Sequence, residues 1–163
     1  MGERILTDDI LEFLQHRVMV SLASRNADYV PSVVRCIGFR VHPATQRIAV
    51  FVVARQAERV VADIRATGLA AVVFSEPCTH RTVQIKGDDA VAGPLEDGDW
   101  PVIGTYPDLA VAELAPLGYQ EMWIRKVFEC TPAQMQAVRF TPGSAYAQTP
   151  GPRAGARLTG AKP

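Results

Sequence analysis

Apolar and polar positions along this chain change period several times, and each change marks an element. Ile10, Leu11 and Leu14, with Phe13 beside them, fall on one helical face. Thr7 is placed to cap that helix, Asp8 and Asp9 sit in its first turn, and Leu6 can staple against Leu11. Residues 18–24 (VMVSLAS) then read as a strand, with turn chemistry at 25–28. Residues 29–41 read as a long second strand interrupted at Gly38, where a bulge or close backbone approach is expected. Residues 42–46 turn the chain and 47–54 return as a third strand, so the sheet begins as antiparallel hairpins.

A helix is predicted over 57–66 from Val60, Val61 and Ile64, stopped by Gly68. The nearly unbroken apolar run 69–75 predicts a strand buried on both faces. Residues 81–92 predict a strand that alternates at Val83 and Ile85, followed by an acidic loop over 94–100. A second helix is expected over 107–114, halted by Pro116 and Gly118, then two final strands over 121–130 and 134–140. The domain is therefore taken as residues 1–140. Residues 141–163 are rich in Gly and Pro, which predicts an extended arm or disordered tail with no packed element. About seven hairpin-spaced strands with two or three helices fit a closed or partly closed antiparallel barrel better than a doubly wound sheet.

Composition narrows the function classes. At 163 residues, 48% apolar and 21% charged, the chain is one globular domain. Seventeen basic residues balance seventeen acidic ones, which argues against a general nucleic-acid binder. No apolar run approaches the roughly 20 residues a membrane helix needs, and the N-terminus lacks the form of a signal peptide. Cys36, Cys78 and Cys130 are odd in number and widely spaced, as expected of reduced thiols in a cytoplasmic protein. His16, His42 and His80 are too scattered to suggest a metal site, so no metal is expected. There is no phosphate loop, dinucleotide fingerprint, CxxC pair or serine-hydrolase elbow. Cys78 remains a nucleophile candidate because it lies beside His80 and Arg81, though a plain structural thiol is the simpler reading. No side chain stands out as catalytic, and a cofactor carrying the reaction fits this pattern best.

Cations stand in unusual places. Arg35 and Arg40 punctuate the long strand, Arg55 and Arg59 flank the start of the second helix, and Arg81 and Lys86 mark a later strand. Arginine offers a planar fork of donors suited to phosphate, and a helix start adds backbone donors. The plainer alternatives are surface cations, and an Arg59–Asp63 pair along the helix.

The succession PSVVRCIGFRV, hairpin, RIAVFVVARQAERVVADIRATGLAAVVFS and HRTVQIKG resembles the flavin-binding core of the pyridoxamine 5'-phosphate oxidase-like family, over about residues 11–94. The resemblance implies a split β-barrel, mainly β in an α+β arrangement with peripheral helices, forming a homodimer with FMN between the subunits. Carried over by position, Arg35 matches a phosphate-binding arginine. Arg40 falls where the family usually has a lysine near the flavin, and Cys36 and Ile37 would turn backbone groups to the ring edge. Val52 and Val53 lie on the strand that contacts phosphate and ring. Arg59 matches the arginine of a Ser-Arg-Lys phosphate motif, whose serine and lysine are replaced here by Glu58 and Val60. Thr82, with Gln84 on the same face, occupies the place of a polar ring contact. Trp123 reads as a core or dimer-interface aromatic. The implied function is an FMN-dependent oxidoreductase acting on a small organic substrate. The Glu58 and Val60 departures keep two alternatives open: a flavin- or haem-binding storage or sensing protein, with His80 or His16 as haem ligand, or a deazaflavin-dependent reductase.

Overall fold

The computed structural model describes residues 4–160. It contains two antiparallel sheets and four α-helices in a mixed α+β arrangement. The first helix, α1 (Asp8–Phe13), starts as its sequence demands, with Thr7 as N-cap accepting from the Ile10 N–H. One sheet has six strands in the order β10-β9-β6-β5-β1-β2, and the other four in the order β3-β4-β8-β7. In chain order these are β1 (Met19–Arg25), β2 (Pro31–Arg35), β3 (Phe39–Val41), β4 (Ile48–Val53), β5 (Ala70–Ser75), β6 (Thr82–Gly87), β7 (Val91–Gly93), β8 (Met135–Phe140), β9 (Ser144–Ala147) and β10 (Arg157–Gly160).

Gly38 does more than bulge a strand. Its φ of 107° lets the chain leave the six-stranded sheet at β2 and join the four-stranded sheet at β3. Strand 29–41 of the sequence reading is therefore two strands in two sheets. The inward faces of both sheets, including Leu22, Val34, Val50, Val52, Val72, Phe74, Ile85, Val138 and Phe140, form the main core with α1 and α2 (Glu58–Thr67). A second core lies on the far side of the four-stranded sheet, where Ala49, Phe51 and Ala137 meet Ile103, Tyr106 and Ala110 of α3 (Asp99–Leu114) and Ile124 of α4 (Glu121–Val127). β4 is thus covered on both faces, which is why it reads IAVFVV without alternation.

Further sequence expectations are corrected. Residues 81–92, expected as one strand, are β6 in the six-stranded sheet and β7 in the four-stranded one, and β5 alternates between buried and half-buried positions instead of being buried on both faces. α3 begins at Asp99 inside the supposed acidic loop and runs through Pro107, which has no N–H to offer the Ile103 carbonyl. Ile103, Tyr106 and Ala110 still hold one buried face across it. Residues 121–127 are helix α4, not strand: Ile124 and Phe128, four apart, are buried, and Glu121 and Arg125 pair along the helix at 2.7 Å. Finally, the Gly/Pro-rich segment carries β9 and β10, which extend the six-stranded sheet from β6. Its glycines supply turns between strands, with Gly155 at φ 84°, and the Thr159 hydroxyl donates to the Ile5 carbonyl at 2.8 Å. Residues 161–163 of that segment lie outside the described residues. No helix of the described residues is long and apolar enough to cross a membrane.

Candidate functional site

The six-stranded sheet packs one face on the core and leaves the other partly open. Strand alternation decides which side chains reach that open face. In β1 they are Met19, Ser21, Ala23 and Arg25, in β5 Ala71, Val73 and Ser75, and in β6 Thr82, Gln84 and Lys86. β2 contributes Pro31, Val33 and Arg35.

Register aligns these residues into transverse rows. Arg35 pairs with Ser21, Ser21 with Val73, Val73 with Gln84, and Gln84 with Tyr146. At a strand spacing of about 4.8 Å, Arg35 and Gln84 stand roughly 14 Å apart on one face. A neighbouring row runs Met19, Ser75, Thr82. A third runs Val33, Ala23, Ala71, Lys86. The floor between a guanidinium at one end and amide and hydroxyl groups at the other consists of serine, alanine and valine.

Recesses open at both sides of this floor. One, of about 280 Å³, lies between β1–β2 and the helices α3 and α4, lined by Met19, Arg35, Tyr106, Tyr119, Trp123 and Phe128 among others. The Arg35 guanidinium lies 5.8 Å from the centre of the Phe128 ring, and among the described residues no carboxylate pairs with it. The Tyr106 hydroxyl is fully engaged, donating to Val18 O at 3.1 Å and accepting from the Val20 N–H at 3.2 Å. Burial pushes that phenol up from its ordinary pKa, which makes it a strut between α3 and β1 rather than an acid. The other recess, of about 300 Å³, has Ala23 and Ala71 in its floor and Arg25 and Lys86 at its edges.

The other expected site residues have different surroundings. Arg40 is in the other sheet, where it binds the fully buried Asp99 at 2.9 Å and donates to Asp97 O at 3.2 Å. Arg139 holds the second Asp99 oxygen at 2.7 Å, so two arginines anchor the start of α3 through one carboxylate. Gly98 beside them has a φ of 87°, a left-handed conformation that favours glycine. Arg40, expected near the flavin with Arg35, is thus engaged by α3, and the chain switches sheets between the two arginines. The Cys36 and Ile37 N–H groups, expected to face a ring, bond Val20 O at 2.9 Å and Phe51 O at 2.7 Å. Both side chains are buried. Val52 points into the core between the sheets, and Val53 is a half-buried neighbour of the second core.

Arg59 lies in the exposed first turn of α2, the helix packed along β2, where the Ser32 hydroxyl donates to Asp63. Asp63 is thereby turned inward, and no Arg59–Asp63 ion pair forms among the described residues. Ala57 makes no side-chain cap bond, so the first N–H groups of α2 receive no side-chain oxygen from that position. Thr82 shares a hydrogen bond of 2.8 Å with Ser75 on the open face. Gln84 Oε1 accepts from Gln148 at 3.4 Å, which leaves the Gln84 amide N–H₂ without a partner among the described residues.

Cys78 does not have the surroundings of a nucleophile. Its N–H donates to Glu113 Oε1 at 2.9 Å and its thiol to Glu113 O at 3.3 Å. The bond to Glu113, with burial and the nearby acids, pushes its pKa up. Arg81 is held by Asp9 and lies over the Phe13 ring. His16 bonds Glu76 at 3.2 Å, and His80 occupies a left-handed turn position. Trp123 is 62% exposed, which removes the core reading and leaves it on the surface of α4.

Sequence reasoning missed Tyr146, since it assigned no packed element to residues 141–163. Its signal was the alternation in SAYA immediately after a strand.

Two packed antiparallel sheets, with a helix across one sheet edge and a chain that switches sheets at a glycine, define the split-barrel fold of pyridoxamine 5'-phosphate oxidase-like proteins. Solved structures with the same fold bear this out. HupZ of Group A Streptococcus aligns with a TM-score of 0.54 at 11% identity, covering 91% of this chain and 99% of that one. General stress protein 26 of Bacillus anthracis gives 0.52 at 13% identity, covering 86% and 91%. A pyridoxamine 5'-phosphate oxidase-related, FMN-binding protein of Nostoc punctiforme gives 0.51 at 15% identity, covering 94% and 89%. No family model matches the sequence, and no curated protein matches it.

Proposed function

We propose that this chain is a cytoplasmic, homodimeric FMN-dependent oxidoreductase acting on a small organic substrate. The observation that carries this reading is the row Arg35–Ser21–Val73–Gln84 on the open face. A flavin mononucleotide needs a cationic phosphate site, a flat floor without bulky side chains, and neutral donors near its ring edge. The row and its neighbours supply all three chemistries in one register. Arg35 would hold the phosphate, with Arg59 and the N-terminal turn of α2 as the second group of donors. Gln84 and Thr82 would meet the polar edge of the ring, and Ser21, Ala71 and Val73 would lie beneath it. FMN, when bound, supplies two-electron chemistry; the protein's part is to orient it and keep water from one face.

One structural neighbour, the Nostoc protein, is described as FMN-binding, which supports the same choice of cofactor. The dimer is supported by the open sheet itself, where Val33 is 70% exposed beside alanine and valine side chains. Such a surface is completed by a partner more readily than by water. The absorption spectrum of the purified protein with added FMN tests the proposal. A bound-flavin spectrum that bleaches with NAD(P)H supports it, and bound flavin that never turns over would indicate storage or sensing. A Soret band would indicate haem, and a protein that ignores FMN but binds a deazaflavin would replace the cofactor.

A further inference from the structure

Tyr146 stands where the row ends. It faces Gln84 directly across the β6–β9 pair and is half-buried on the open side. Arg157, its register partner on β10, donates from Nη2 to the Tyr146 hydroxyl at 2.8 Å. The Lys86 ammonium lies 4.7 Å from the centre of the Tyr146 ring, and the Arg157 guanidinium carbon 5.3 Å from it. Among the described residues, the charged groups facing this phenol from β6 and β10 are Lys86 and Arg157, both cations. Hydrogen bonds from Ser144 and Arg157, with the charges of Arg157 and Lys86, hold its pKa below the ordinary tyrosine value.

We propose that Tyr146 is the acid–base residue of the open face, donating a proton to the substrate during its reduction. The proposal rests on the flavin reading, because it needs reduced flavin as the hydride source. The substrate class is an unsaturated organic molecule with a polarised double bond, such as a quinone or conjugated ketone. One atom of that bond gains hydride, with its two electrons, from the flavin. The other gains the proton from the Tyr146 O–H, and the flavin is left oxidised. Arg157 and Lys86 stabilise the phenolate until solvent water returns its proton, and NAD(P)H reduces the flavin for the next turn.

Two measurements test it. The first is a pH titration of phenolate absorbance in FMN-free protein, comparing wild type with Tyr146→Phe. The phenol missing from the variant should be the first to ionise, and Arg157→Gln should delay that step. A Tyr146 phenol that ionises with or after ordinary tyrosines would overturn the assignment. The second is reoxidation of the FMN-loaded, NAD(P)H-reduced protein by p-benzoquinone. In wild type the rate should fall as pH rises through the phenol's ionisation. In Tyr146→Phe it should be lower by on the order of a hundredfold and lack that limb. Unchanged reoxidation in the variant would overturn the acid–base role. FMN binding itself, read by titration before reduction, separates the two ideas: no binding refutes the flavin reading, whereas binding with unchanged reoxidation refutes Tyr146 alone.

Discussion

Arg35 on β2 and Gln84 on β6 are held in one transverse row of the six-stranded sheet, joined by the pairs Arg35–Ser21, Ser21–Val73 and Val73–Gln84. They lie 49 positions apart in the sequence, yet the register puts both side chains on the open face. Val73 occupies the middle of the row and is only half-buried. Substituting Val73→Trp should therefore leave the core intact while filling the floor. Thermal unfolding should stay close to wild type, and FMN affinity should fall by at least tenfold in a fluorescence titration.

The Asp99 anchor makes a prediction about stability. Its carboxylate is fully buried between Arg40 and Arg139. Removing it in Asp99→Ala takes away the shared anchor but leaves Arg139 paired with Glu96 and Arg40 bonded to the Asp97 carbonyl, so it should cost about 1–3 kcal/mol in chemical denaturation. Arg40→Met keeps the stem's packing and removes only one partner, so its loss should be smaller.

Thiol chemistry follows from the cysteine environments. Cys36 is fully buried, which pushes its thiol far up, and Cys78 is pushed up by Glu113. Neither is a thiolate near neutral pH. Alkylation with iodoacetamide should be slower at Cys78 than for free cysteine and undetectable at Cys36 in the folded protein. Glu113→Gln should speed the Cys78 reaction.

The exposed apolar surface bears on assembly. Val33 on β2 and Met122 and Trp123 on α4 are each more than 60% exposed, at 70%, 66% and 62%. Light scattering should report a dimer for wild type. Val33→Asp should shift it toward monomer without loss of secondary structure, since the side chain makes little contact within its own subunit.

Much of the fold was legible because it rests on local signals. Thr7 with Asp8 and Asp9 marked α1, Gly68 marked the end of α2, and alternation at Val83 and Ile85 marked β6. The errors came where tertiary packing overrode local chemistry. Pro107 looked like a helix start, but the buried stripe Ile103–Tyr106–Ala110 carries the helix through it. Residues 121–127 look like a strand until Ile124 and Phe128 are seen to share a buried helical face. The placement of the expected site residues was half legible for a similar reason. Arg35, Thr82 and Gln84 do share the open face, because strand periodicity settles which way a side chain points. Arg40, Cys36, Ile37 and Val52 do not, because the change of sheet at Gly38 depends on two sheets that pair residues distant in sequence. Tyr146 was hidden by composition, since Gly and Pro dominate the turns on either side of a short but real strand.

The most direct test of the open face as a flavin site is an FMN titration of wild type against the double variant Arg35→Ala/Arg59→Ala. Wild type should bind one FMN per subunit, and each lost charge-assisted contact should weaken binding by about 1.5–3 kcal/mol. The double variant should thus fold normally and fail to retain FMN through gel filtration. Equal FMN affinity in the two proteins, or no FMN binding by wild type, would contradict the account.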